Sequence, residues 1–372
     1  MLLQRRVRFQ PELLDLTSIL SVQRLGKKLR ASTARIDALI LNAGIGGWTG
    51  IDWATAVYTV LTDWVQATTW PVYKKSSVGW VTKPQLSSRK TEGRLSDGEA
   101  FSGIDEPPLG EVFCANVFGH YLLAHHLVPL LSARSDSEGG CGRIILLSSL
   151  DTHASSLSLD DFQSINKPQA YESSKRITDV LALTSELTST RPWVDCYLSY
   201  PADSNTNSED ARRTSSRPKF YLAHPGICAT SIIPLPYILT LAMNAAFYIA
   251  RILGSIWHTC SPYSGACAPV WLALAPQTTL DAIEGCDGKG KWGSATDPWG
   301  RERVARTEVE GWGWGGIVEK GTKGRKGRRR GATDLTEIDK AEFEELGRTC
   351  WKEMEMLREE WEKRVGDADD TK

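Results

Sequence analysis

The sequence predicts an α/β protein built on a doubly wound parallel sheet, and three observations carry that prediction. Apolar runs of strand length occupy 36–41, 142–147 and 219–224. Each ends in a small or polar turn: Asn42-Ala43-Gly44, Ser148-Ser149 and Pro225-Gly226. Between them lie stretches with helical apolar spacing, and strands that alternate with helices build parallel sheets.

Taken in order, residues 7–14 read as a strand that ends at Asp15, with Thr17-Ser18 as a helix cap. Ile19, Val22, Leu25 and Leu29 recur at helical spacing, and 36–41 forms the next strand. The segment 48–111 is a long insertion, aromatic and partly helical over 54–67, with an exposed loop over 83–102. It is either a surface elaboration or a cap on a substrate or partner site. Apolar spacing makes 111–131 a helix containing Asn116, a mediocre helix former that caps or kinks it or serves the chemistry. A polar turn at 135–142 leads into the 142–147 strand, and 169–188 is the next helix.

Residues 193–198 read as a strand, and the polar run 199–218 has the composition of a disordered loop. The strongly apolar 232–257 is shorter than it looks as a membrane element. Spanning takes about 20 uninterrupted apolar residues, and Pro236 and Arg251 leave fourteen between them. A helix that covers a cleft and rests its outer face on a membrane or lipid droplet fits better, with an ordinary buried helix as the alternative. The helix at 264–275 closes the core domain, 1–275, and 276–372 is an extension. Its basic run, 320–331, is a solvated loop or an attractor of anionic lipid headgroups. Leu335, Ile338, Leu346, Cys350, Met354, Leu357 and Trp361 mark an amphipathic helix over about 335–364, which packs on the core or on another protein.

Composition bounds the function. The 372 residues are 41% hydrophobic, enough for a sizeable core, and the net charge of −1 offers no general attraction for nucleic acid. Eight cysteines show neither close pairs nor a regular framework, as expected of a reducing compartment. No metal site is expected: His120, His125 and His126 lack ligand spacing and read as core or helix-surface residues. The amino terminus lacks an apolar run long enough for a signal peptide.

The chemistry sits between Asn116 and Lys175. Tyr171 and Lys175 are four residues apart, so a helix presents both on one face. A phenol ionises near pH ~10, and an adjacent ammonium favours its phenolate, bringing proton exchange closer to neutral pH. Ser149 follows a strand and stands at its carboxyl end, where open α/β sheets bind ligands.

Asn116-Val-Phe-Gly119, then a strand into Ser148-Ser149, then Tyr171-Glu-Ser-Ser-Lys175 resembles the tetrad of the short-chain dehydrogenase/reductase family, with Asn42-Ala-Gly44 before it and His224-Pro-Gly226 after. The resemblance implies a Rossmann-like sheet, catalytic Asn116, Ser149, Tyr171 and Lys175, and cofactor contacts from Asp15, Asn42, Ala43, Gly44, Tyr171, Lys175, Pro225, Gly226 and Thr230. In it, Lys175 lowers the phenol pKa and binds the nicotinamide ribose, while Asn116 holds a relay water. The family's first strand, glycine-rich turn and first helix find no match before Val7. Truncation accounts for this better than loss of nucleotide binding, because the tetrad is intact.

Within the family, 42–53, 110–120, the tetrad and Lys291-Trp-Gly-Ser294 resemble fungal reductases that act on 3-keto sterols in ergosterol synthesis. That likeness implies NADPH-dependent reduction to the 3β-alcohol during C-4 demethylation. It also implies placement at the endoplasmic reticulum membrane and lipid droplet, on the cytoplasmic face, among other sterol enzymes. Reduction of another hydrophobic carbonyl, or an inactive chain that only partners sterol enzymes, are the alternatives.

Overall fold

The computed structural model describes residues 7–86, 106–133, 140–200, 217–230, 232, 235–319, 321 and 324–370, the last four as backbone only. Its strands are β1 (Ala38–Leu41), β2 (Trp48–Ile51), β3 (Lys74–Ser76), β4 (Arg143–Leu147), β5 (Lys219–His224), β6 (Lys291–Thr296) and β7 (Glu302–Thr307). Its main helices are α1 (Ile19–Ser32), α2 (Trp53–Thr62), α3 (Trp64–Thr69), α4 (Gly119–His126), α5 (Ala170–Thr184), α6 (Arg191–Tyr197), α7 (Tyr237–Ile252), α8 (Cys267–Leu274), α9 (Gln277–Asp287) and α10 (Glu337–Asp370).

The central sheet runs β1-β4-β5-β6-β7. The first four strands are parallel, and β7 returns antiparallel to β6. Alternation along each strand feeds two cores, since successive side chains point to opposite faces. Ile144, Phe220 and Leu222 join one apolar cluster with α1, α4, α5 and α10. Ile145, Leu147, Tyr221 and Ala223 join the other with α8 and α9. This is the α/β sheet of Rossmann-like form that the apolar runs predict.

Three sequence expectations change. Residues 7–14 form no strand: Phe9 is 88% and Leu13 98% exposed, so nothing covers an apolar face there. Residues 193–197 belong to helix α6 and Leu198 caps it, with Pro192 in its first turn, where the missing N–H costs nothing. Val194 and Tyr197 are buried at helical spacing while Asp195 and Cys196 face outward, a period of about three rather than two. The sheet also continues past residue 275, because β6 and β7 complete it. The expected loop at 83–102 and polar run at 199–218 fall mostly outside the described residues.

The insertion forms a hairpin of β2 and β3 flanking α2 and α3, and the Trp64 indole donates to Ala246 O of α7 at 3.1 Å. The basic run is paired in part with the body. The Arg328 side chain is tucked between Glu308 and Asp334, Arg330 reaches Asp63, and Arg325 lies 4.1 Å from the centre of the Trp314 ring.

Helix α10 packs on the core, along α5. Gly347 makes the crossing close, since a Cβ there would stand 2.5 Å from Thr184 Cγ2. Beyond it, Trp351 is buried and donates to Leu181 O at 3.2 Å, and the Tyr121 hydroxyl donates to Glu355, which Arg358 neutralises. Between α10, the sheet and residues 111–118, every residue of α5 except Tyr171 is buried. Truncating a buried Trp removes its packing and leaves a cavity, at a cost of roughly 3–5 kcal/mol. Trp351→Ala should therefore lower the thermal midpoint by several degrees; an unchanged melt would show that α10 contributes little to the fold.

Candidate active site

The site forms at the carboxyl ends of β1, β4 and β5, where their turns converge on the amino-terminal half of α5. Ser149 follows β4 by two residues, half-buried, and its hydroxyl accepts from Asp151 N at 3.2 Å and lies on the side of the Tyr171 phenol. Burial pushes the phenol's pKa up, and the Ser149 hydroxyl pulls against that. Tyr171 thus holds its proton at neutral pH, as a proton donor should.

Lys175 is buried one turn further along α5, its Nζ 5.7 Å from the Tyr171 ring centre. Burial drives its pKa down to about 8, with Asp179 opposing the fall and Lys291 adding to it. Its ammonium donates to Leu147 O at 2.9 Å. An ammonium has three donors, so Lys175 keeps capacity for ligand hydroxyls.

Asn116 lies in a π-helical turn, Cys114–Phe118, just before α4. Such turns re-aim side chains and cluster at functional sites. Its Oδ1 accepts from Ile45 N at 2.8 Å, and its Nδ2 donates to Ile45 O at 2.9 Å and to Ser174 Oγ at 3.0 Å. The amide is committed to holding the 42–45 loop against α5. Gly44 makes this approach possible, as a Cβ there would meet Asn116 Oδ1 at 2.6 Å.

The remaining cofactor candidates divide. Asn42, Ala43 and Gly44 are exposed after β1, on the Lys175 side. Pro225 and Gly226 follow β5, and Gly226 sits at φ +72°, where a Cβ would strike Trp257 O at 2.4 Å. Thr230 is exposed beyond them. Asp15 is not at a strand end: its carboxylate caps a turn, accepting from Thr17 N and Oγ1 at 2.9 and 2.7 Å. The open Asn42–Gly44 edge and the spare donors of Lys175 fit the ribose end of a nucleotide. Among the described residues no glycine-rich turn stands ready for its phosphates.

Sequence reasoning missed a buried pair beneath the site. Lys291, from the strand quoted above only as part of a resemblance, donates to Asp179 at 2.7 Å, Ser148 Oγ at 3.2 Å and Ser149 O at 2.5 Å. Asp179 was within reach of inference, one helical turn beyond Lys175 on the same face. It also missed Lys74 of β3, whose ammonium lies 2.5 Å from both Asp151 and Glu172, 4.5 Å from the centre of the Trp48 ring and 5.6 Å from that of Tyr171. The three histidines are buried, and burial pushes His120, His125 and His126 to about 3, 4 and 3.

A doubly wound sheet with Ser, Tyr and Lys joined at its carboxyl edge defines an oxidoreductase of the short-chain type, a class that takes a nucleotide cofactor. No protein-family model matches the chain. It is 45% identical to 3-keto-steroid reductase erg27 of Aspergillus fumigatus, over 98% of this chain and 79% of the relative. It is 40% identical to 3-keto-steroid reductase ERG27 of Gibberella zeae, over 89% and 68% of the two chains. Similarity extends to 3-keto-steroid reductase erg27 of Schizosaccharomyces pombe, at 32% identity over 82% and 73%. The chain belongs to the 3-keto-steroid reductase family.

Removing one partner of a buried ion pair strands the other, at roughly 3–5 kcal/mol. Asp179→Asn should lower the denaturant midpoint sharply, and Asp179→Leu combined with Lys291→Met should recover much of the loss. Equal stabilities for the single and double variants would refute the pairing.

Proposed function

We propose that this chain reduces the 3-keto group of a sterol intermediate to the 3β-hydroxyl, with NADPH, during the C-4 demethylation of ergosterol synthesis. The observation that carries the reading is the placing of Ser149 and Lys175 beside Tyr171, with the Lys175 ammonium 5.7 Å from the centre of its ring, in a member of this family. The nicotinamide, when bound, supplies a hydride to the carbonyl carbon. Tyr171 gives its phenolic proton to the oxygen as negative charge develops there. Ser149 hydrogen-bonds the same oxygen, so both donors act most strongly in the transition state. Lys175 offers its free donors to the ribose hydroxyls and a cation to the phenol. Asn116 keeps the 42–45 loop seated, and relay of the replacement proton through a water near it belongs to the same reading.

A sterol presents a large apolar surface and one oxygen to orient, and it arrives from a lipid phase. Helix α7 leaves Tyr237, Ile238, Leu241 and Ile252 exposed, and α2 leaves Tyr58 and Leu61 exposed, the two helices joined through α3. Contiguous exposed apolar surface marks a docking face. No helix of the described residues is long and apolar enough to cross a membrane. In this reading the chain lies peripherally on the cytoplasmic face of the endoplasmic reticulum membrane and lipid droplets, beside other sterol enzymes.

Tyr171→Phe should cut 3-keto sterol reduction by about 10²–10⁴-fold while circular dichroism and melting stay unchanged; retained turnover, or equal turnover of simple ketones by the unaltered protein, would overturn the assignment. Ile238→Asp with Leu241→Asp should abolish flotation with phosphatidylcholine and phosphatidylserine vesicles and spare turnover of detergent-dispersed sterol. Undiminished flotation would rule out α7 as the docking face.

A further inference from the structure

Lys74 comes from the insertion, 97 positions before Tyr171 in the chain, yet it stands among the groups that define the active site. Its ammonium is 2.5 Å from Asp151, two residues beyond Ser149, and 2.5 Å from Glu172, the neighbour of Tyr171. All three side chains are at least nine-tenths buried. The ammonium also lies over two aromatic rings that touch each other, Trp48 and Tyr171, whose centres are 4.8 Å apart. On the far side of Asp151 stands His153, 3.1 Å away, itself met by Arg329 of the basic run.

This is a costly arrangement unless it does something. Desolvating an ammonium and two carboxylates is repaid only with close geometry on every side, and a plain surface hairpin needs none of it. Burial would push the Lys74 pKa down, but the two carboxylates hold it above the usual lysine value, so the site keeps this cation at neutral pH. At the phenol, burial raises the pKa, and the Ser149 hydroxyl and then the Lys74 ammonium draw it back.

Resting on the reductase reading above, we propose that Lys74 is a positioning residue for the reduction: it clamps the Ser149 loop to the Tyr171 helix through Asp151 and Glu172, with its charge beside the Tyr171 ring. The two hydrogen-bond donors that must converge on one substrate oxygen are carried by different elements, a loop after β4 and the helix α5. Lys74 joins the residue two beyond one donor to the residue next to the other. The insertion therefore contributes to the chemistry through this contact rather than only covering the site.

The test compares Lys74→Arg, Lys74→Met, and Lys74→Met combined with Asp151→Asn and Glu172→Gln, in which no stranded carboxylate remains. A displacement of donors by about 1 Å costs roughly a hundredfold. Lys74→Met should lose about that in kcat with little change in the sterol KM, and Lys74→Arg should recover most of it. The triple variant should melt like the unaltered protein and stay slow. Native kcat in the triple variant would reduce Lys74 to a structural ion-pair partner and overturn the proposal. A second arm needs no turnover: with isotope-labelled tyrosine, the Tyr171 ring resonance, assigned by its loss in Tyr171→Phe, should shift in Lys74→Met and return in Lys74→Arg, and an unmoved resonance overturns the proposal. Absence of sterol reduction by the unaltered protein would defeat the substrate reading alone, leaving this arm to decide the role of Lys74.

Discussion

The active site depends first on one buried ion pair. Lys291 and Asp179 are essentially inaccessible to solvent and face each other at 2.7 Å. Neither charge is tolerable alone at that depth. Together they tie β6 to α5, and the surplus donors of Lys291 fix the Ser148–Ser149 turn from below. The same pair also acts one turn away, where burial draws the Lys175 pKa down: Asp179 supports its proton and Lys291 opposes it. A strand near residue 290 thus places the Ser149 backbone and adds its charge to the surroundings of Lys175.

Around this pair the protein uses polar contacts at close range and apolar ones elsewhere. The Asn116 amide locks the 42–45 loop, Lys74 engages the insertion, and the two apolar clusters on either side of the sheet keep these contacts dry. In a low-dielectric interior each such bond is strong if satisfied and expensive if not. The site is consequently rigid on the sheet side, and its open side is the Asn42–Gly44 edge.

Much of this was legible in the sequence because it is local. Strands β1, β4 and β5 show as short apolar runs with turn residues at their ends, α5 shows through its periodicity, and the Tyr171–Lys175 spacing follows from helix geometry alone. Helix α6 was misread because Trp193, Val194, Cys196, Tyr197 and Leu198 crowd apolar residues into six positions, where period two and period three are hard to tell apart; Pro192 was the signal that should have decided it. The strand expected before Asp15 failed because a neighbour must cover it, which no local pattern encodes. Lys74, Asp151 and Lys291 were invisible for a different reason. A buried lysine looks like any other until the fold brings its carboxylates to it, from 77 and 112 positions away.

The long α10 helix carries a consequence for how the molecule is made. Its Trp351 meets Leu181 across 170 residues, and through that contact the outer face of α5 is closed. Closing so long a loop is a modest free-energy cost, since it grows only logarithmically, but contacts of this separation form late. During synthesis the helix bearing Tyr171 and Lys175 emerges long before its cover exists, with an apolar flank bare to solvent. Production of this chain is therefore exposed to aggregation and chaperone capture up to the last helix, and proteolytic loss of that helix would silence the site without touching a residue of it.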